Sequence, residues 1–373
     1  MRRVALTMAF LGIVACSRNT SSPAGQAAGT GEPGAEDSAP KVAPGSIEIA
    51  GTSCTDRTAN VAFSPGGRWL AHVDGSALVI RSVTERVAET ARMQLGGLRL
   101  VGMAFGGDDA LGVIAVDDIG LGRLISFVGP DWKQGQMIEL VGMAPRVVVG
   151  HPSIAQVLVA PRPAIEWGRD QAQERSRSQG FAAYDLRSGE VTGGAGPLGS
   201  TAEQLTLSWT DDAPMSMWLD TLVRWSLSEG TRQARIDVAD GPGICHVITR
   251  GTGDPFLGWA SPPRVGVPGA APVALDDLGD LLYQVVAQAD GSMVAIVLDQ
   301  KAGHVERVTA QVLAGGQRRA RWPLGWPLAG AAIHPTLQLL AWIEGAPGSG
   351  TLRLMRLTDG AALRPDEPLG RPR

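Results

Sequence analysis

The stretch VAFSPGGRWLA, residues 61–71, decides the fold, because it joins two short apolar strands through a tight polar turn. The letters VAF are followed by SPGG, in which Pro presets φ for a turn and Gly tolerates positive φ. Apolar residues then resume in WLA. A similar stretch, AAIHPTLQLLAW at residues 331–342, stands near the other end of the chain. Together they predict a repeated hairpin unit.

The unit recurs seven times along the 373 residues. The first strand of each copy is predicted to end at Phe63, Phe105, Val149, Leu207, Ile248, Val286 and Ile333. The intervals are 42, 44, 58, 41, 38 and 47 residues, and the longest contains a polar insertion, IEWGRDQAQERSRSQ, at residues 165–179. A period in this range indicates a β-propeller or an array of repeats.

The expected fold is therefore all-β: a seven-bladed β-propeller of four-stranded antiparallel sheets, with six or eight blades left open. One such sheet cannot bury both of its faces alone, whereas radial stacking buries the faces between blades. The 49 Gly and 25 Pro suit a chain with many turns. Residues 46–50, SIEIA, alternate like a strand and are expected to pair with residues 351–357 as the outer strand of the last blade. The reason is that RPDEP, residues 364–368, contains two prolines, which disfavour a strand.

The repeats resemble those of WD40-like propellers, and of the periplasmic TolB-type propellers in particular. The resemblance rests on VAFSPGGRWLA and on AAIHPTLQLLAW with GTLRLMRLTDG at residues 350–360. The Trp-Asp dipeptide and the Gly-His pair of strict WD40 repeats are missing at their expected places. Propellers present loops around a central channel and loops carry binding, so the first hypothesis is a monomeric, non-enzymatic binding or scaffold protein. The candidate binding loops are the insertion and the repeated turns after the first strands. The fold alone does not decide between this role and catalysis.

The first sixteen residues resemble the signal of bacterial lipoproteins. Met1-Arg2-Arg3 is a basic start, residues 4–14 are an apolar run too short to span a bilayer, and Ile13-Val14-Ala15-Cys16 matches the lipobox. The resemblance implies a signal peptide over residues 1–15, lipid on Cys16, a flexible lipid-attached linker over 16–45 and a propeller domain over 46–373. It places the protein in the bacterial envelope, at the outer membrane facing the periplasm or the cell surface. The alternative is an ordinary secretory peptide with an accidental cysteine.

Two segments stand out as candidate interaction sites, the insertion and the sequence RRARW at residues 318–322. The side chains singled out are Trp167, Arg169, Arg175, Arg177, Arg318, Arg319, Arg321 and Trp322. They could meet an envelope protein, a glycan or lipid headgroups, while the alternative for RRARW is an outer strand with solvated arginines. The net charge of −4 argues against nucleic acid as a partner.

Motifs that would carry catalysis or hold a metal are missing from the sequence. There is no HExxH, CxxC or GxSxG pattern, and His151 and His334 are expected to serve the turns. The motif GAGPLG at residues 194–199 is interrupted by Pro, so no dinucleotide or other cofactor is predicted. Asp117-Asp118 could bind Ca²⁺ or simply form a solvated turn, and Cys54 and Cys245 could form a bridge or stay separate thiols. The alternative function is an enzyme, a lyase or glycan hydrolase, with its site at the channel mouth.

Overall fold

Twenty-eight β-strands in seven sheets make up the part of the chain that the computed structural model describes. The described residues are 60–140, 145–161, 180–196, 207–210, 213–218, 221–237, 244–248, 256–259, 263–266, 273–274, 279–288, 291–301, 304–314, 317–346, 349–366 and 369. All of them belong to one compact unit, Pro44–Arg373. The predictions for Cys16, Cys54, the side chain of Cys245, residues 46–50 and the insertion with its Trp and Arg side chains lie outside the described residues.

Each sheet, or blade, consists of four consecutive strands. Blade 1 contains β1 (Val61–Phe63), β2 (Trp69–Asp74), β3 (Ala77–Val83) and β4 (Val87–Gln94). Blade 2 contains β5 (Arg99–Phe105), β6 (Ala110–Val116), β7 (Gly122–Val128) and β8 (Lys133–Glu139). Blade 3 contains β9 (Pro145–Gly150), β10 (Gln156–Pro161), β11 (Phe181–Asp185) and β12 (Val191–Ala195). Blade 4 contains β13 (Leu207–Thr210), β14 (Ala213–Trp218), β15 (Thr221–Trp225) and β16 (Arg232–Asp237).

The remaining three blades follow the same plan. Blade 5 contains β17 (Ile244–Ile248), β18 (Phe256–Trp259), β19 (Arg264–Gly266) and β20 (Val273–Ala274). Blade 6 contains β21 (Leu281–Ala287), β22 (Met293–Lys301), β23 (His304–Ala314) and β24 (Gln317–Leu324). Blade 7 contains β25 (Leu328–Ile333), β26 (Leu339–Glu344), β27 (Thr351–Arg356) and β28 (Ala362–Leu363).

The blades form a closed ring. Within every sheet the strands pair antiparallel in chain order. First strands contact one another in succession from β1 to β21, and β25 contacts β1. Blades 6 and 7 are joined by an apolar cluster. Apolar clusters fill the space between neighbours, so that Leu281, Ile296 and Leu340 share one cluster between blades 6 and 7. The predicted seven-bladed β-propeller of four-stranded antiparallel sheets is confirmed.

The alignment of the repeats locates most first strands to within a residue or two. Phe63, Phe105, Ile248 and Ile333 end their strands as predicted. The prediction for blade 4 is wrong by three residues, because Leu207 begins β13 and Thr210 ends it. The insertion falls between β10 and β11, inside the third copy as predicted.

The last blade contains a fourth strand after Leu357 that the sequence did not predict. The position beside β27 is taken by β28, whose residues Ala362 and Leu363 pair with Met355 and Leu354. The expectation that the chain adds no strand after Leu357 is therefore wrong, whereas the predicted pairing of residues 46–50 with 351–357 lies outside the described residues. Strand β28 lacks a sequence signature because it is only two residues long.

After β28 the chain reaches blade 1, and its described residues 364–366 and 369 are named the strap here. Asp366 N–H donates to the Val87 carbonyl at 2.9 Å, and Leu369 N–H donates to the Glu85 carbonyl at 2.7 Å. The Leu369 side chain packs against the apolar cluster that blades 7 and 1 share. The Asp366 carboxylate lies 3.9 Å from the buried Arg81 guanidinium. The described strap residues join the last blade to the first, and they add no strand to either sheet.

The antiparallel order places two sets of connections on opposite faces of the ring. The turns from first to second strand and from third to fourth strand lie on one face, called the first-turn face. The turns from second to third strand lie on the other, called the insertion face because β10 and β11 meet the insertion there. The two sets of loops that the sequence offers as binding elements, the insertion and the repeated first turns, therefore serve different faces.

Candidate functional site

The first-turn face is built from turns that a histidine organises in two blades. In blade 3, His151 Nδ1 accepts the backbone N–H groups of Ser153 at 3.1 Å and Ile154 at 3.3 Å. In blade 7, His334 Nδ1 accepts those of Thr336 at 3.1 Å and Leu337 at 3.0 Å. The imidazole thus satisfies two N–H groups of a tight turn, which are costly to leave unpaired. The prediction that both histidines serve their turns is confirmed.

Neighbouring turns on this face are also tied to one another. His334 Nε2–H donates to the Gly67 carbonyl of blade 1 at 2.9 Å. Gly66 N–H donates to Asp108 Oδ1 of blade 2 at 2.7 Å. Gly107 N–H of blade 2 donates to the His151 carbonyl of blade 3 at 2.8 Å. These contacts make a belt from blade 7 through blades 1 and 2 to blade 3, which fixes the turns relative to each other.

His334 is held in its neutral form by this arrangement. Burial lowers its pKa, and the hydrogen bond to the Gly67 carbonyl opposes this effect only partly. A neutral ring with Nε2 protonated is the tautomer that can accept at Nδ1 and donate at Nε2. Both ring nitrogens are therefore engaged by the backbone, and the ring also packs edge-on against Phe63 at 5.1 Å.

The same turns present apolar side chains to solvent. Ile154 and Leu337 each stand three residues after the turn histidine, and they are 52% and 44% exposed. Each has its own N–H bound to the histidine, so its backbone is fixed while its side chain projects from the first-turn face. Sequence reasoning did not single out these residues. The signal was present in the letters His-Pro-polar-aliphatic, which occur at residues 151–154 and 334–337.

A cavity of about 340 Å³ lies in the central channel between the first strands of blades 6, 7 and 1. Its wall also includes Ser64, Pro65 and Pro335 from the first turns, so it lies toward the first-turn face. The wall is formed by Val61, Ala62, Phe63, Ser64, Pro65, Gln284, Val286, Ala331, Ala332, Ile333 and Pro335. None of these side chains is ionisable, so this wall offers apolar contact and a few polar groups.

The RRARW segment forms most of β24, the outermost strand of blade 6. Arg318 and Arg319 are exposed, whereas Arg321 pairs with Asp299 at 3.1 Å. Trp322 is half-buried, and its indole N–H donates to the Leu357 carbonyl of blade 7 at 3.3 Å. The segment is an outer strand, as the alternative expected, and whether it contacts a partner stays a prediction.

The acidic turns have partners of their own. Asp117 Oδ1 accepts Leu121 N–H at 2.8 Å and its other oxygen lies 3.5 Å from Arg123. Among the described residues, no group of three His, Cys, Asp or Glu side chains could hold a metal ion. The motif GAGPLG begins inside β12, where Gly194 pairs with Ala182, so this part of it is strand. No helix within the described ranges has the length and apolar composition needed to cross a bilayer.

Blade 1 contains a further buried histidine, His72, next to the buried Arg81. His72 Nε2 accepts Arg81 Nε–H at 3.1 Å, and Arg81 in turn lies 3.4 Å from Glu89. Burial, and secondarily the positive charge of Arg81, lowers the pKa of His72 to about 4. The ring is therefore neutral at neutral pH and acts as an acceptor for the arginine.

Because His72 is neutral in the folded protein, we expect the protein to be less stable in mild acid. Because the pKa in the folded protein lies below that of an unfolded histidine, the unfolded chain binds the extra proton first. Stability is then complete above about pH 6.5 and falls toward pH 4 by about 1.4 kcal/mol per pH unit from this group. Thermal melting of the wild type and of His72→Gln, which keeps an acceptor but cannot titrate, should show a shallower pH dependence in the variant. If the melting temperatures of the wild type and of His72→Gln change equally with pH, His72 is not the group responsible for the loss of stability.

Comparison with known proteins supports the fold alone. No protein-family model and no curated protein matches the sequence. Solved structures do match: a chain of the mitotic checkpoint complex aligns with a TM-score of 0.54 at 9% identity, covering 91% of this chain and 96% of that one. The β-propeller domain of Cps50 (Swd1) from Myceliophteria thermophila aligns with a TM-score of 0.53 at 13% identity, covering 80% and 96%. These structures are WD40-type β-propellers, and the present chain has the same fold.

Proposed function

We propose that this propeller is a non-enzymatic binding protein that docks a protein partner on its first-turn face. The observation that carries the proposal is the pair of histidine-organised turns that hold Ile154 and Leu337 exposed. Apolar side chains on a rigid backbone suit binding, because little conformational entropy is lost when a partner covers them. Blades 7 and 3 stand on different sides of the channel, so a partner that touches both covers its mouth.

The cavity wall supports binding rather than proton transfer. An enzyme with its site at the channel mouth would need a general acid or base within reach of its substrate. The wall of the described cavity consists of apolar side chains with Ser64 and Gln284. The two similar propellers were solved as part of the mitotic checkpoint complex and as the propeller domain of Cps50, and the first is by its title a component of an assembly. That is compatible with a platform role here.

We further propose that the platform is tethered to the bacterial envelope by lipid on Cys16, with residues 16–45 as the linker. The support is the sequence alone: a basic start, an eleven-residue apolar run and the lipobox letters IVAC. In cells, Cys16→Ser should move the protein out of the membrane fraction. Unchanged membrane association would contradict the tether.

The docking face is tested by crosslinking in cells. Aspartate at both Ile154 and Leu337 should reduce crosslinked partner at least about fivefold, because a charge buried in an apolar contact is costly. Aspartate at Ile119 and Met137, which are 84% and 45% exposed but lie on blade 2 away from the first turns, is the matched control. Both double variants should keep the wild-type melting temperature. Equal crosslinking in wild type and both variants would contradict the proposal.

A further inference from the structure

The cavity between blades 6, 7 and 1 has walls that are fixed without a ligand. On the blade 1 side the Phe63 ring packs edge-on against His334, with ring centres 5.1 Å apart, and His334 is itself bound to the Gly67 carbonyl at 2.9 Å. On the other sides Gln284 and Ala331 lie on β21 and β25, which pair with β22 and β26. Preformed walls and a volume of about 340 Å³ suit a small-molecule site.

The composition of the wall selects the charge of a ligand. The described residues that line the cavity include no ionisable side chain, and Ser64 and Gln284 are the polar ones among Val, Ala, Phe, Ile and Pro. A carboxylate or ammonium group that entered would lose hydration and meet no opposite charge, which is costly. The wall therefore favours an uncharged ligand with an apolar body.

One polar side chain of this wall lacks a hydrogen-bond partner. Gln284 Oε1 is buried and accepts no hydrogen bond from the part of the chain that the structure describes. Ser64, by contrast, already accepts the Trp69 N–H at 3.2 Å. A buried amide oxygen is normally paired, because its desolvation is otherwise uncompensated. The last side-chain torsion of glutamine is soft, so a rotation can turn the Gln284 amide toward a ligand in the cavity.

The inner edge of β1 adds backbone groups to the cavity. Strand β1 is the first of its sheet, so this edge pairs with no other described strand. In an antiparallel pair, alternate residues direct their N–H and C=O toward the neighbouring strand. Ser64 N–H donates to the Trp69 carbonyl across the sheet at 2.9 Å, so the preceding residue, Phe63, directs its backbone groups to the channel. A ligand can therefore meet a donor and an acceptor here.

We propose that this cavity binds a small uncharged molecule with an apolar body and one carboxamide or hydroxyl group. The apolar body lies against the aliphatic wall, and the polar group pairs with the Gln284 amide and the inner strand edge. The ligand enters from the first-turn face, where Pro65 and Pro335 border the cavity. Neither Ile154 nor Leu337 lines the cavity, so this site is independent of the proposed docking face.

Isothermal titration calorimetry with two probes of nearly equal size tests the charge selection. Phenylacetamide, which is neutral, should bind the wild-type protein with a Kd of about 1 mM or tighter. Phenylacetate at neutral pH should bind at least about tenfold more weakly, because its charge has no partner in the wall. If neither probe binds, or if both bind equally, the proposal is overturned.

Two variants locate the bound probe. Ala331→Leu narrows the cavity and should weaken phenylacetamide binding at least about tenfold. Ala104→Leu is the matched control, because Ala104 is a half-buried alanine on the first strand of blade 2 that does not line the cavity. Gln284→Leu, which keeps the volume, should weaken phenylacetamide about fivefold but not ethylbenzene. Wild-type binding by both Ala331→Leu and Gln284→Leu would place the probe elsewhere and overturn the proposal.

In-cell crosslinking separates this site from the proposed docking face. If aspartate at Ile154 and Leu337 removes the crosslinked partner and leaves phenylacetamide binding unchanged, the cavity is an independent ligand site. If phenylacetamide does not bind the wild type but Ala331→Leu reduces the crosslinked partner, the cavity receives a side chain of that partner, and the small-ligand proposal is wrong while the docking face stands.

Discussion

Ending the chain after Leu363 is expected to lower the melting temperature by about 6 °C or more. The change removes the strap, and with it two backbone hydrogen bonds to Val87 and Glu85 and the packing of Leu369. Each hydrogen bond contributes about 1 kcal/mol and a partly buried leucine about as much again, so the total is about 3 kcal/mol. Arg81 also loses one of the two carboxylates beside its buried guanidinium.

Differential scanning calorimetry measures this effect. A chain that ends after Leu369 keeps every strap contact described above and should melt like the full chain. If the chain ending after Leu363 also melts unchanged, the strap does not close the ring, and the N-terminal residues 46–50 become the next segment to delete.

Replacing Gly150 with Ala is expected to lower the free energy of unfolding by about 3 kcal/mol or more, or to prevent folding. Gly150 ends β9, and a methyl group there would overlap the carbonyl oxygen of Phe105 on the neighbouring first strand. The obstacle is backbone, which cannot rotate aside, so blades 2 and 3 would have to separate at their inner edge. Gly106 is similarly close-packed between blades 2 and 3, because a methyl group there would lie 2.5 Å from the backbone nitrogen of Gln156.

Gly102→Ala is the matched control for Gly150→Ala. Gly102 lies on β5 at the same pair of blades, and an added methyl group would meet one side-chain atom, Val148 Cγ1, at 3.3 Å. Urea unfolding should therefore show a large loss of stability for Gly150→Ala and a small one for Gly102→Ala. Similar stabilities for the two variants would contradict the close approach of the blades.

The sequence predicted the fold well where the signal was local. The ends of β1, β5, β17 and β25 followed from apolar runs that stop at a turn residue, and the turn role of His334 followed from its place in HPTL. In blade 4 the apolar letter Leu207 was taken as a strand end, although the strand continues to Thr210 before the turn. An apolar residue can stand at either end of a short strand, so the alignment was ambiguous there.

Features that depend on distant partners were not predictable in this way. Strand β28 is defined by pairing with Leu354 and Met355, not by a pattern in its own two residues. The strap is defined by contacts with Val87 and Glu85, some 280 positions earlier in the sequence. Trp322 of RRARW was expected to be available to a partner. Only the folded structure shows that its indole N–H donates to the Leu357 carbonyl.

Every described sheet is made of four consecutive strands, and this has a consequence for how such a chain can change over evolution. No blade shares a strand with another, so a gene segment of about 45 residues encodes a whole structural module. What distinguishes one module from the next is the contact at its seam, such as His334 against Gly67 or Gly66 against Asp108. Once each pair of neighbouring blades has its own contacts, one blade can no longer replace another. The sequences of the blades can then diverge while the ring is kept.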